Sequence, residues 1–341
     1  MANQVDPNTV PTFALSNGDK IPCIGMGTFG SDHVPPEEVA DAVAGAIRCG
    51  YRLFDCASVY GNEPQIGKVF DAAFREGIVK REDLFIMSKV WNDQHGKGEV
   101  LLACAKTLRD LQLDYLDAYF VHWPFPNYHA PGCSGDFRSP DTKPFSVDDF
   151  MVCWRQMERL YDIGLVRNLG MSNMTIPKLN AVLPHCRIKP TLLEMELHPS
   201  FQQKELFDYA VSFRIQPVAF CPIGSPSRPE RDKSPDDVVD TELPIVREIA
   251  KVHNITPALV CLKWAVQRGA IPIPFSVHEA HYVENLRCTT CDPLSDEEMA
   301  ALRSADANCR LIKGQVFLWP GATDWRDLWD VNGEITNKFG T

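Results

Sequence analysis

Nothing in this 341-residue chain approaches the apolar run of about 20 residues that a helix needs to cross a bilayer. The first residues, Met1 to Pro11, are polar and carry no apolar stretch of the signal-peptide kind, so a cytoplasmic location is expected. Positive charge is short as well: 34 Lys and Arg stand against 45 Asp and Glu, a formal net charge of -11. That balance argues against nucleic acid or an anionic membrane surface as the main partner. No G-x-G-x-x-G occurs; Gly25-Met-Gly27 is not completed downstream, and the usual mark of a doubly wound dinucleotide sheet is missing. Metal-type cysteine spacing is scarce. The one Cys-x-x-Cys, Cys288 to Cys291, lacks a second pair and a thioredoxin-like context, so no metal or redox centre is expected. The 12 cysteines lie scattered through strands and helices, which suits reduced thiols.

What the chain does have is a strand–helix rhythm. With 45% hydrophobic and 23% charged residues it can bury a substantial core. A β-hairpin is predicted over 12–25, with Asn17-Gly18 as its turn. Val39, Val43, Ala46 and Ile47 then mark one helical face that closes at Gly50. Apolar strands at 52–57, 84–89, 116–122, 166–172, 191–194, 216–220 and 270–273 alternate with helices. About eight such units predict an α/β protein of the (β/α)8 barrel type, one domain over residues 1–341. Three segments break the rhythm: 124–148, 225–240 and the aromatic tail 311–341. Long loops are uncommon unless functional or disordered. In a barrel the first two rise over the carboxyl ends of the strands, as walls of a site.

Asp55, Lys89 and His122 each close a predicted strand, and a barrel gathers those ends on one face. Tyr60 follows Asp55 by five residues in a turn-forming context and can lean over the same mouth. An ammonium beside a phenol favours phenolate and lowers its pKa. Asp55 would hold Lys89 in place, and His122 would orient a substrate oxygen. The set reads as a tyrosine acting as general acid toward an oxyanion developing on a carbonyl. Taken singly, each residue is more simply a satisfied polar group at a strand end. Their joint order and spacing argue for a site.

Six runs carry a resemblance: GYRLFDCASVYGNE (50–63), SKVW (88–91), VHWP (121–124), GLVRNLGMSN (164–173), ELHP (196–199) and CPIGS (221–225). Over nearly its whole length the chain resembles the aldo-keto reductase superfamily, its aldehyde and xylose reductase branch more than its potassium-channel β-subunit branch. The resemblance implies a (β/α)8 fold, an Asp55, Tyr60, Lys89, His122 tetrad, and NADP or NAD as cofactor. It implies hydride transfer from nicotinamide C4 to a carbonyl, with Tyr60 donating the proton. Gly27 and Thr28 would join the dinucleotide site, Ser172 and Asn173 would hold the carboxamide beside Glu194, and Phe220 would stack on the ring where the family usually has tyrosine. Cys221, Pro222, Ile223 and Ser225 would lie along the pyrophosphate, with Ser276, Val277, His281, Glu284 and Asn285 at the adenosine end. Phe29, Trp91 and Trp123 would line the substrate pocket and the tail would close it; for Phe29, an ordinary core aromatic is a serious competing reading.

Two departures stand out. The adenosine-end run reads IPFSVHEAH (273–281), with Phe275 at the family's lysine position and His281 at its arginine position. A guanidinium stacks on adenine and pairs with a 2′-phosphate; an imidazole does so poorly. Relaxed cofactor choice or a preference for NAD(H) is therefore expected, unless Arg228 or Arg231 replaces the clamp. The second is Glu194, where the family usually carries glutamine. An ionised carboxylate accepts from an amide but cannot donate back, and its charge would favour the oxidised cofactor. A protonated Glu194 would instead mimic the amide.

The leading reading is NAD(P)H-dependent reduction of an aldehyde, aldose or ketone. The alternatives are NAD+-dependent oxidation of a sugar or polyol at the same site, or a non-catalytic cofactor-binding regulatory subunit, against which the full tetrad speaks. The expected partners are a small carbonyl or alcohol substrate and the dinucleotide, with the chain a monomer or homodimer.

Overall fold

The computed structural model describes residues 4–129 and 137–337; residues 130–136 of the predicted 124–148 loop and 338–341 of the tail lie outside it. The chain opens with an antiparallel hairpin of β1 (Thr12–Ala14) and β2 (Lys20–Pro22). Next come β3 (Met26–Gly27), α1 (Pro36–Cys49), β4 (Leu53–Asp55), α2 (Glu63–Arg75), β5 (Phe85–Val90), α3 (Glu99–Leu111), β6 (Ala118–Val121) and α4 (Val147–Asp162). The second half runs β7 (Leu169–Ser172), α5 (Ile176–Val182), β8 (Leu192–Glu196), α6 (Lys204–Ser212), β9 (Gln216–Phe220), α7 (Pro244–His253), α8 (Pro257–Gln267), β10 (Ile271–Pro272), α9 (Glu279–Arg287) and α10 (Asp296–Arg303).

Strands β3 to β10 pair in parallel in chain order. Backbone bonds from Gly25 N to the Pro272 carbonyl and from Gly27 N to the Pro274 carbonyl, both 3.0 Å, then join the last strand to the first. The sheet thus closes into the expected (β/α)8 barrel. One strand was not predicted. Met26–Gly27 is only two residues long and glycine-flanked, too short for any periodicity to show.

Local chemistry explains the helix limits. Ser146, Thr175, Thr256 and Ser295 accept from the third residue beyond them, capping α4, α5, α8 and α10. Helix α1 buries Val39, Val43, Ala46 and Ile47 and stops at Gly50, whose φ of 120° suits glycine. A Cβ there would run into the Val5 carbonyl.

The core has three layers. A broad one lies between strands and helices, including Phe54, Ile86, Trp154 and Trp264. A second fills the barrel interior with Leu53, Phe85, Met87, Ala118, Phe120, Leu192, Val218 and Ile271, plugged at the amino-terminal end by Leu15 and Ile21 of the hairpin. Gly170 keeps the Phe120 ring in place, since a Cβ on it would overlap that ring. The third is an aromatic cap of Trp91, Trp123, Phe125, Phe317, Trp319 and Trp329, joining the carboxyl-end loops to the tail.

Candidate active site

Strand side chains alternate between faces. Leu53 points into the barrel, so Asp55 does too; Phe85 and Met87 lead to Lys89, Ala118 and Phe120 to His122, Leu192 to Glu194, and Val218 to Phe220. Register then sets neighbouring strands side by side: Asp55 faces Met87, Lys89 faces Phe120, and Ser172 faces Glu194. The polar residues therefore form the top layer of a barrel whose lower layers are hydrocarbon.

Lys89 Nζ sits fully buried at the centre. It donates to both Asp55 oxygens at 2.6 Å, to the Cys56 carbonyl at 3.2 Å and to Tyr60 Oη at 3.5 Å, and lies 3.4 Å from Glu194 Oε1. The Tyr60 ring stands edge-on to His122 (centroids 5.9 Å apart) and tilted against Phe29 at 5.0 Å. Trp91 covers the other side of His122 at 5.0 Å. Phe29 is thus a cavity residue, not core filling.

Burial lowers Lys89, but Asp55, Glu194 and Tyr60 outweigh it and hold the ammonium well above its ordinary pKa. Tyr60 corrects the expectation of a lowered phenol. Burial pushes it up, the charges of Asp55 and Glu194 add to that, and the pull of Lys89 does not compensate. His122 is held well below its usual value by burial and by Lys89, so its ring is neutral. Glu194 is pushed up to about 8 by burial and the Asp55 charge, against the pull of Lys89. One ammonium serves two carboxyls. Asp55, with two short contacts, is the ionised one, and Glu194 carries a proton at neutral pH.

A cavity of about 1050 Å³ opens above this layer and runs from the aromatic cap to α8 and α9. Gly27, Thr28, Asn173, Glu194, Phe220, Cys221, Pro222, Ile223, Ser225, Ser276, Val277, His281, Glu284 and Asn285 all line it, as do Phe29, Trp91 and Trp123. Ser172 and Lys89 sit behind its wall; the Ser172 hydroxyl accepts from the Asn173 amide at 3.2 Å. The residues fit a nicotinamide carboxamide. Asn173 Nδ2 is fixed on the His122 carbonyl at 2.8 Å, while the buried Asn173 Oδ1 and Glu194 Oε2 have no hydrogen-bond partner among the described residues. Buried polar atoms of this kind call for a bonding partner.

Residues 23–307 match the model of the Aldo/keto reductase family. The chain belongs to the aldo/keto reductase family. It is 40% identical over 330 residues to an aldo/keto reductase of Synechocystis sp., covering 95% of this chain and 97% of that protein. It is 37% identical to human aldo-keto reductase family 1 member A1, covering 87% and 90% respectively. A crystal structure of a Bombyx mori aldo-keto reductase in complex with NADP superposes with a TM-score of 0.79 at 29% identity, over 90% of this chain and 95% of that one. The family makes the protein an NAD(P)-dependent oxidoreductase that reduces carbonyls.

In this aldo/keto reductase the two arginines offered as substitutes for the missing clamp are occupied. Arg228 is paired with Asp237 and donates to the Asp232, Gly224 and Ser225 carbonyls. Arg231 crosses the cleft to Asp32 and also reaches Asp232 at 3.9 Å. At the family's arginine position His281 holds Ser276 Oγ at 3.3 Å. Sequence reasoning missed Tyr128, His129 and Phe317 in the aromatic half and Glu242 and Arg247 in the other. Phe317 had a signal as part of the aromatic tail, and Tyr128 and His129 as part of the 124–148 segment expected to wall the site; Arg247 reads as an ordinary helix surface residue.

Proposed function

We propose that the protein reduces the carbonyl of an aldehyde, aldose or ketone to the alcohol, with Tyr60 as proton donor. The observation that carries this is the buried Lys89–Asp55 pair beneath a half-buried Tyr60 at the floor of an aromatic cavity, with a neutral His122 edge-on to the phenol. The dinucleotide, when bound, supplies a hydride from nicotinamide C4. Asn173 and Glu194 would hold its carboxamide, with Ser172 steadying Asn173, and Phe220 would pack on the ring. His122 donates to the substrate oxygen while Tyr60 passes its proton to that oxygen as charge develops. Lys89 stabilises the phenolate left behind, and Asp55 keeps Lys89 charged and in place. Trp91, Trp123, Phe29 and Phe317 exclude water around the reacting carbon, which strengthens these electrostatic effects.

With Phe275 in place of a lysine, His281 in place of an arginine, and Arg228, Arg231 and Arg247 set against Asp237, Asp32 and Glu242, the arginines lining the cavity among the described residues are already paired, which weakens the reward for a 2′-phosphate. We read this as relaxed choice or a preference for NAD(H). A panel of aldehydes, aldoses and ketones assayed with NADH and NADPH in parallel tests both points. Turnover with a preference for NADPH below about tenfold is expected; a preference above about a hundredfold, some 2.7 kcal/mol, contradicts the cofactor reading. Oxidation of a sugar or polyol is the second reading, favoured by the carboxyl of Glu194 beside the ring position.

A further inference from the structure

Glu194 reaches into the polar layer from β8 with its side chain 3% exposed and Oε1 3.4 Å from Lys89 Nζ. Its Oε2 is buried without a hydrogen-bond partner among the described residues, and the residue forms part of the cavity wall. Asp55 already takes the same ammonium through both oxygens at 2.6 Å. The flanking strands add no charge, since β7 places Ser172 opposite Glu194 and β9 places Val218. The ionisable groups facing it are therefore Asp55 from β4, Lys89 from β5 and Tyr60 from the turn after β4. Asp55 and Lys89 form a closed pair, which leaves Glu194 as the group free to gain or lose a proton.

We propose that Glu194 couples proton release to the binding of oxidised dinucleotide, and so sets the pH at which the site turns from favouring reduction to favouring oxidation. This rests on the dinucleotide reading given above. As an acid, Glu194 offers one donor and one acceptor, as an amide does. The oxidised nicotinamide ring carries a positive charge that the reduced ring lacks. A cation at the cavity wall favours the carboxylate and expels its proton to solvent; the neutral reduced ring does not. Free Glu194 is held up near 8 by burial and Asp55. Linkage then gives the sign. Affinity for the oxidised form rises with pH up to about 8, where free Glu194 ionises, and levels off above it. Affinity for the reduced form is flat or falls slightly. Glu194 is thus a positioning residue whose charge, not its contact with substrate, tunes the direction.

Titrating tryptophan fluorescence with NAD+ and NADH, and with NADP+ and NADPH, between about pH 6 and about pH 9 tests this. The wild-type ratio of oxidised to reduced dissociation constants is expected to fall about tenfold or more across that range, and by less than about twofold in Glu194→Gln. Calorimetry of the wild type in two buffers of different ionisation enthalpy gives a second readout. At about pH 7 a proton should be released on binding the oxidised form and none on binding the reduced form. A flat wild-type ratio, or the same slope in Glu194→Gln, overturns the proposal. Failure of every dinucleotide to bind overturns instead the reading on which it rests.

Discussion

Asp55, Glu194 and Tyr60 all face the single ammonium of Lys89, and their order of claim decides the state of each. Asp55 takes the charge, Glu194 keeps a proton, and the phenol is pushed above its ordinary value by burial and the two carboxyls. The consequence is a protonated phenol throughout the neutral range, the state that the proposed donor role requires. Reduction, followed as kcat/KM against pH, should be level from about pH 6 through neutrality and decline only in the alkaline range, as Tyr60 ionises. His122 should add no inflection near its ordinary 6.5, because burial and Lys89 hold it well below that value. A profile halving near pH 6.5 contradicts these assignments. Asp55, Lys89, His122 and Tyr60 were legible in the sequence because each falls at or just after a strand end. The states of Tyr60 and Glu194 were not, since those depend on how deeply the barrel buries them.

At the scale of elements, the loops and tail over the cavity are fastened by one buried histidine. His198 lies 3.0 Å from Glu196 at the end of β8 and 2.8 Å from Asp240, which closes the 225–240 loop. Glu196 in turn accepts from the backbone nitrogens of Leu311 and Ile312 at 2.6 and 2.9 Å, pinning the start of the tail. Burial alone lowers His198, but Asp240 and Glu196 raise it to about 9. A folded-state value above the ordinary 6.5 contributes stability that is full below about 6.5 and is lost as pH rises through about 9. The span of about 2.5 units corresponds to a contribution on the order of 3 kcal/mol. Urea unfolding of wild type and His198→Gln between about pH 6 and about pH 9.5 should show that slope in the first and lose it in the second; equal slopes contradict the clamp. The run ELHP flagged His198 and its neighbour Glu196 as part of a family mark, but Asp240 lies 42 residues beyond His198 and Leu311 lies 115 beyond Glu196, outside any local pattern. A separation of 16 residues likewise hid the role of Trp329, whose Nε1 donates to the Lys313 carbonyl while Arg310 stacks on its ring.

For the molecule as a whole, the barrel was legible because two periods agree. Strands recur one helix apart, and along β4, β5 and β8 the inward residues are apolar until Asp55, Lys89 and Glu194. That agreement converts a list of polar residues distant in sequence into one layer around Lys89. What escaped was the short β3, where Gly27 comes so close to the backbone after β10 that a Cβ would meet the Ile273 carbonyl at 2.9 Å. The architecture therefore makes one central claim, that strand closure delivers the Tyr60 proton to a carbonyl held above it. Single-turnover reduction by Tyr60→Phe, measured beside dinucleotide binding by fluorescence, tests it most directly. The account predicts a loss of about a hundredfold to ten-thousandfold in the chemical step, with dinucleotide affinity within about twofold of wild type. Turnover by Tyr60→Phe within about tenfold of wild type would contradict it.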